Sequence, residues 1–178
     1  MSTTARIAAG FFAMVFAAWL VFTSAGAAPP PDGTVELKTI KYADLVKAVR
    51  DQRGKVIVVD LWGDFCAPCK REFPHLVELH RQYADKGLAC MSVALDAPVD
   101  PNAPAPPPAV LKFLIAKKAT FANFWLNEDE QVWKRFGIEA VPAVFVFDRQ
   151  GRRAAKFTQD FTYADVRKLV EKLLEPPS

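Results

Sequence analysis

The sequence predicts an α/β domain in which helices flank a central mixed β-sheet. The apolar, β-branched run at 55–62 is typical of a strand buried on both faces, as in sheets with parallel strands. Strand-like and helix-like segments alternate along the chain, which favours parallel strands joined by helices. Near the end, 143–148 and 152–157 flank a short Arg-Gln-Gly turn, and this pattern predicts an antiparallel hairpin.

Hydrophobic periodicity places the remaining elements. The last helix shows it best, because Val166, Leu169, Val170 and Leu173 form an apolar stripe with a period near 3.6 residues. Six prolines within 98–108 predict an extended, stiff loop. In chain order the other predicted elements are a strand at 34–38, a helix at 41–53 that Gly54 follows, a helix at 66–83, a strand at 88–96, a helix at 109–119, a strand at 123–127 and a helix at 129–138.

The first 27 residues form a separate unit. Arg6 precedes an uncharged apolar run at 7–22, and Ala25-Gly26-Ala27 fits a signal-peptidase site. We expect residues 1–27 to be a cleaved signal peptide, the alternative being an uncleaved N-terminal anchor. Both alternatives export the domain to the periplasm or to the extracytoplasmic face of a membrane. Residues 28–34 are then a linker, and 35–175 form the folded domain.

Composition excludes some function classes. The net charge is +3 and no run of basic residues occurs, so nucleic-acid binding has no support. Three cysteines are too few for a disulfide-stabilised scaffold in a domain of this size.

The spacing of Cys66 and Cys69 is compatible with three kinds of site: a zinc site, a haem attachment site or a redox-active dithiol. A structural zinc site needs four ligands, and only Cys90, His75 and His80 remain as candidates for the other two. The two histidines are five residues apart, so on one helix they point about 140° apart. Haem attachment requires a histidine directly after the second cysteine, where this chain has lysine.

The third alternative is a redox-active dithiol. Two intervening residues allow the sulfurs to bond when Cys66 lies at a helix N-terminus, where the helix dipole favours the thiolate. Cys66 is then the nucleophile, and Cys69, one turn further, resolves the mixed disulfide. Pro68 suits the first helical turn because its missing N–H has no partner there.

The segment "VVDLWGDFCAPCK" resembles the active-site signature of thioredoxins, and "LWGDFCAPCKREFP" resembles exported thiol–disulfide oxidoreductases of the TlpA/ResA type. A second motif, "GIEAVPAVFVFD", follows at the expected distance. The resemblance covers roughly residues 35–175 and implies a thioredoxin fold with a TlpA/ResA-type insertion before the third core strand. It also implies that Pro142 is a cis-proline that faces the cysteines.

The resemblance assigns further roles. Asp60 matches the buried acid that helps to deprotonate the resolving cysteine, and Glu72 matches the glutamate after the TlpA/ResA cysteine motif. Without the motif, Asp60 would be expected to face water, and Glu72 would be an ordinary acid near a helix start. Phe65 replaces the usual tryptophan, and Ala67-Pro68 differs from the common dipeptides. The residues expected to contact substrate are Trp62, Phe65, Ala67, Pro68, Val141 and Pro142.

These features predict an exported oxidoreductase, more a reductant than an oxidant, with no cofactor beyond the Cys66–Cys69 disulfide and no metal. The resemblance implies protein substrates with disulfides, apocytochrome c among them, and a membrane electron donor. We expect a monomer that contributes to cell redox homeostasis. The competing hypothesis is a copper(I) metallochaperone that uses the two thiolates. A peroxidase is disfavoured because no Thr-x-x-Cys motif occurs.

Overall fold

The computed structural model describes residues 33–98, 100, 105–158 and 160–175. They form one six-stranded mixed sheet flanked by helices, which confirms the predicted fold class. The strands are β1 (Lys38–Ile40), β2 (Val56–Trp62), β3 (Leu88–Ala94), β4 (Ala122–Leu126), β5 (Ala143–Phe147) and β6 (Arg153–Thr158). The helices are α1 (Tyr42–Asp51), α2 (Ala67–Tyr83), α3 (Pro108–Lys117), α4 (Gln131–Phe136) and α5 (Tyr163–Leu174).

The strand order is β1-β4-β3-β2-β5-β6. β1, β4, β3 and β2 pair in parallel, whereas β5 pairs antiparallel with both β2 and β6. β2 therefore lies in the interior of the sheet, and all seven of its residues are buried. This position explains why its sequence is a continuous apolar run instead of an alternating one.

The two faces of β2 support two hydrophobic cores. Val56, Val58 and Trp62 pack on the side that α2, α3 and α5 cover. Ile57, Val59 and Leu61 pack on the opposite side, with α1 and α4. Because side chains alternate along a strand, Asp60 lies on the same face as Val58 and Trp62, beneath α2.

The first and third strands differ from their predicted bounds by two residues or more, whereas the other strands differ by one. The first strand is β1 at Lys38–Ile40 instead of 34–38, because its register with β4 pairs Lys38 with Phe124. The third strand ends at Ala94 instead of 96, because its pairing with β2 ends where Ala94 lies opposite Trp62, the last residue of β2.

α3 and β4 lie between β3 and the hairpin, in the segment that the TlpA/ResA resemblance assigns to an insertion. That this segment is the family's insertion stays a prediction. The predicted signal peptide or anchor at 1–27, most of the linker, and residues 99 and 101–104 of the proline-rich loop lie outside the described residues. Within the described part of the chain, no helix has the length and apolarity needed to cross a membrane.

Candidate active site

The turn between β2 and α2 places both cysteines at the N-terminus of α2. Cys66 is the N-cap residue, with an extended backbone, and Cys69 lies in the first turn. The two are joined by a disulfide with a Cα–Cα distance of 5.3 Å. The backbone N–H of Cys69 donates to Sγ of Cys66 at 3.2 Å, so an N–H group of the helix end points at this sulfur. Negative charge on the Cys66 sulfur is stabilised by such a position.

The disulfide lies beside the loop that precedes β5. Sγ of Cys66 is 3.6 Å from the carbonyl oxygen of Val141, and the Val141–Pro142 peptide bond is cis. Cys66 is 6% exposed and Cys69 only 2%. The first sulfur is therefore the more accessible of the two.

The surface around Cys66 is largely apolar. Phe65 is 64% exposed, Ala67 and Pro68 are exposed, and Val141 is half-buried. Gly63 makes the position of Phe65 possible, because a Cβ at residue 63 would lie 2.3 Å from the Phe65 ring. Five of the six residues predicted to contact substrate, including Pro142, therefore have accessible surface next to the disulfide.

Trp62, the sixth residue, lies below this surface. Its side chain is completely buried and packs against Phe73 and Phe113, with ring centroids 5.2 and 4.9 Å away. In this conformation Trp62 cannot contact a substrate, so the expected substrate contact is wrong for this residue. Its buried position at the end of β2 instead makes it a support for the first turns of α2.

The active-site turn is held by a set of polar contacts that the sequence did not reveal. Oδ1 of Asp96 accepts the backbone N–H of Asp64 at 2.8 Å, directly before the cysteine motif. The Lys70 ammonium group lies 3.1 Å from the Asp64 carboxylate and ties the turn to α2. Burial raises the pKa of Asp96 above its usual value. These contacts hold the turn at both of its ends.

Asp60 is a buried carboxyl group on the α2 side of the sheet. It is 3% exposed, and burial raises its pKa from 3.8 to about 7, an effect that a hydrogen bond from Tyr163 reduces. Its Oδ2 accepts this bond, whereas Oδ1 has no hydrogen-bond partner among the described residues. Asp60 thus has an unpaired oxygen and a pKa at which it can exchange a proton near neutral pH.

Glu72 lies on α2, one turn beyond Cys69, at a half-buried position. It lines a cleft between α2 and α5 of about 440 Å³, together with His75 and Tyr163. Its carboxylate oxygen is 3.8 Å from Nε2 of His75. Glu72 therefore lies with Tyr163 in the cleft between α2 and α5, whereas Asp60 is buried between the sheet and α2.

Tyr163 and Cys90 are buried titratable groups whose pKa values are raised by burial and by the Asp60 carboxyl. The burial of Tyr163 and its proximity to the Asp60 carboxyl raise the pKa of the tyrosine well above 10. Cys90 is a free, buried thiol whose pKa burial likewise raises far above its usual value. Sequence analysis did not identify Tyr163. Its signal is weak, because the same Tyr-Ala-Asp start occurs at Tyr42 in α1.

No cluster of three or more potential ligands from His, Cys, Asp and Glu occurs in the part of the chain that the structure describes.

The comparison with protein families agrees with this geometry. The AhpC/TSA family matches residues 31–153, which include the cysteine motif and the Val141–Pro142 loop. The chain belongs to the AhpC/TSA family. The thioredoxin-like character and the ResA-type resemblance predicted from the sequence are confirmed by the relatives of this family member.

Two bacterial relatives are named thiol-disulfide oxidoreductase ResA. The protein of Geobacillus thermodenitrificans is 28% identical over 123 residues, which cover 69% of this chain and 66% of the relative. The protein of Halalkalibacterium halodurans is 26% identical over 128 residues, covering 72% of this chain and 67% of the relative. The chain therefore spans about 66% of the length of the first of these relatives.

Solved structures show the same fold. A protein described as thiol:disulfide interchange protein DsbE from Chlorobium tepidum superimposes with a TM-score of 0.59 and 25% identity, covering 71% of this chain and 85% of that one. The thioredoxin domain of a thiol-disulfide oxidoreductase from Bacteroides vulgatus gives a TM-score of 0.54 and 26% identity, with coverage of 68% and 83%. Both support the thioredoxin-like architecture of this family member.

Proposed function

We propose that this chain is a thiol–disulfide oxidoreductase that exchanges disulfides with partner proteins through Cys66 and Cys69. One observation carries the proposal: the Cys66–Cys69 disulfide lies at the N-terminus of α2, with its first sulfur 3.6 Å from the Val141 carbonyl. The sulfur is next to an apolar surface and to backbone that can pair with an extended substrate. The relatives named ResA support the same activity.

In the proposed reaction, the reduced protein attacks a substrate disulfide through the Cys66 thiolate. A Cys66–substrate disulfide forms, the substrate S–S bond breaks, and one substrate sulfur leaves as a thiolate. The helix end stabilises the Cys66 thiolate before attack. Phe65, Ala67 and Pro68 contact the substrate on one side of the sulfur, and the Val141–Pro142 backbone pairs with it on the other.

Resolution requires the second cysteine. Cys69 gives its thiol proton to Asp60, and its thiolate attacks the Cys66 sulfur, which reforms the Cys66–Cys69 disulfide. The second substrate sulfur leaves as a thiolate and takes a proton from solvent. Two electrons pass from the dithiol to the substrate, and Asp60 then releases its proton. Glu72 is proposed to adjust the thiol pKa values through its charge.

We further propose that the domain is exported and acts as a reductant, with no cofactor beyond its own disulfide. In an oxidising compartment each turnover leaves the protein oxidised, so a membrane electron donor must reduce it again. Apocytochrome c is one protein substrate that the ResA-type resemblance suggests. The N-terminal segment supports export through its apolar run and its small-residue site.

The proposal is tested by insulin reduction in the presence of dithiothreitol. The wild-type chain should accelerate insulin precipitation, and Cys66→Ser should abolish this activity. Cys69→Ser should accumulate mixed disulfides with partner proteins on non-reducing gels, whereas Cys66→Ser should not. Cys90→Ala is the matched control, because it removes a buried free thiol that lies outside the cysteine motif and leaves Cys66 and Cys69 in place. Equal trapping by both active-site variants would contradict the assigned roles.

Two further measurements separate the alternatives. The reduction potential of the Cys66–Cys69 couple distinguishes a reductant from an oxidant, since a strong oxidant has a much higher potential than thioredoxin. Competition with a copper(I) chelator tests the metallochaperone hypothesis. If the protein keeps stoichiometric copper in this competition and has no reductase activity, it is a copper carrier and the oxidoreductase hypothesis is wrong.

A further inference from the structure

Tyr163 is the first residue of α5 and reaches across the core to Asp60 on β2. Its hydroxyl group donates to Oδ2 of Asp60 at 2.5 Å, between residues 103 positions apart in the chain. Tyr163 is 5% exposed, and its ring packs 5.7 Å from the ring of His75. The start of α5 is itself fixed, because the Thr162 N–H donates to the Asp165 carboxylate at 3.0 Å. The hydroxyl therefore has a defined position.

We propose that Tyr163 is a positioning residue for disulfide exchange: its hydroxyl group holds Oδ2 of Asp60 and leaves Oδ1 as the oxygen that takes the proton from Cys69. The inference rests on the proposed function. It concerns a residue that lies in neither of the two sequence motifs. The unpaired, buried Oδ1 is the observation that makes one carboxyl oxygen the acceptor.

Other titratable groups approach Asp60 from two elements. β3 contributes Cys90, which stays a neutral thiol because burial raises its pKa well above the usual range. α2 carries the dithiol, and it also carries Glu72 and His75, which lie at the Tyr163 ring. Among the described residues, the Tyr163 hydroxyl is the one donor that bonds the Asp60 carboxyl.

This donor has a chemical consequence. Asp60 can accept the Cys69 proton only when it is ionised, and burial disfavours the ionised form. A hydrogen bond from a neutral hydroxyl stabilises the carboxylate and lowers the pKa of Asp60 relative to burial alone. Tyr163 keeps its own proton throughout, because its pKa is raised well above 10. It therefore orients and stabilises the base without exchanging a proton.

The test is Tyr163→Phe, which removes the hydroxyl and keeps the ring. A hydrogen bond to a charged group contributes enough to shift the pKa of Asp60 upward by about one unit. The pH midpoint of the resolving step should rise by the same amount. At pH 7 resolution should slow by about fivefold, because the ionised fraction of Asp60 falls from about one half to about one tenth. At pH 9 the rate should recover, which a general loss of packing would not produce.

Tyr42→Phe is the matched control, since Tyr42 begins α1 with the same Tyr-Ala-Asp sequence and packs against Phe136 instead. Its pH profile should coincide with that of the wild type. Carboxyl ¹³C shifts in the oxidised protein report the Asp60 pKa directly, without any turnover. A second variant covers the case in which Tyr163→Phe does not give soluble, folded protein. In this variant 3-fluorotyrosine at position 163 makes the hydroxyl a stronger hydrogen-bond donor, and the pH midpoint of the resolving step should fall.

The outcomes of the inference and of the proposed function are distinct. A wild-type protein that does not reduce insulin refutes the function, whatever the carboxyl shifts show. An active wild type whose Asp60 pKa and resolving midpoint are unchanged by both Tyr163 substitutions refutes the positioning role. Attack by Cys66 on substrate precedes resolution, so its rate should be the same in wild type and Tyr163→Phe.

Discussion

The buried Asp60 carboxyl group makes the stability of the protein depend on pH in a way that can be calculated. Its pKa is 3.8 in an exposed reference state and about 7 in the folded protein. Between these values the folded state holds a proton that the unfolded state has released. Stability therefore falls as pH rises from about 4 to about 7, and it changes little from this source outside that window.

The magnitude follows from the shift. Each pKa unit corresponds to 1.36 kcal/mol, so a shift of about three units destabilises the folded protein by about 4 kcal/mol above pH 7. Asp60→Asn removes the titration and keeps an oxygen that can accept the Tyr163 hydroxyl. We expect the free energy of unfolding of the variant to increase relative to that of wild type by about 4 kcal/mol between pH 4 and pH 8, because only wild type loses stability over this range.

The assay is urea unfolding of the oxidised protein at several pH values between 4 and 8. The closed disulfide prevents the active-site thiols from titrating, and other groups cancel in the difference between the two proteins. A difference between Asp60→Asn and wild type that does not change with pH would refute a buried carboxyl with a raised pKa.

Two other predictions concern the thiols and their neighbours. Glu72→Gln should lower the apparent thiol pKa values, because a nearby negative charge disfavours a thiolate, and alkylation rate against pH measures the shift. Its effect on turnover at neutral pH should be smaller than that of Asp60→Asn, and coincident alkylation profiles would make Glu72 an ordinary surface acid. Cys90 is 4% exposed and its pKa is raised by burial, so the folded, oxidised protein should resist iodoacetamide. Mass spectrometry should show one added label only after unfolding, and rapid labelling of the native protein would contradict this burial.

Local patterns carried most of what the sequence predicted correctly. The run at 55–62 identifies β2 because a strand between two others must be apolar on both faces. The position of Cys66 at the start of α2 follows from a strand that leads directly into the Cys-Ala-Pro-Cys turn at 66–69. Both predictions depend only on residues that are adjacent in the sequence, so they did not require knowledge of contacts between distant segments.

Contacts between distant segments account for what the sequence did not predict. β1 begins at Lys38 because its partner is β4, more than 80 residues later, and nothing in 34–38 records that register. The TlpA/ResA-type resemblance matches Trp62 to an aromatic residue packed near the disulfide, which suggested a substrate contact for Trp62. Its burial depends on Phe113 in α3, which no local pattern near the cysteines reveals. Tyr163 is undetectable for the same reason, since its partner is 103 residues away.

The energetics of Asp60 also favour a chemical role over a structural one. Among the described residues the buried Asp60 carboxyl has one hydrogen-bond donor and one oxygen without a partner, and it destabilises the fold by about 4 kcal/mol when it is ionised. An apolar side chain at the same position of β2 would avoid that cost and would match its neighbours Val58 and Trp62. Stability therefore does not explain an acid at this position. The proposed transfer of the Cys69 proton to Asp60 gives this acid a role, because a general base works best when its pKa is near the working pH.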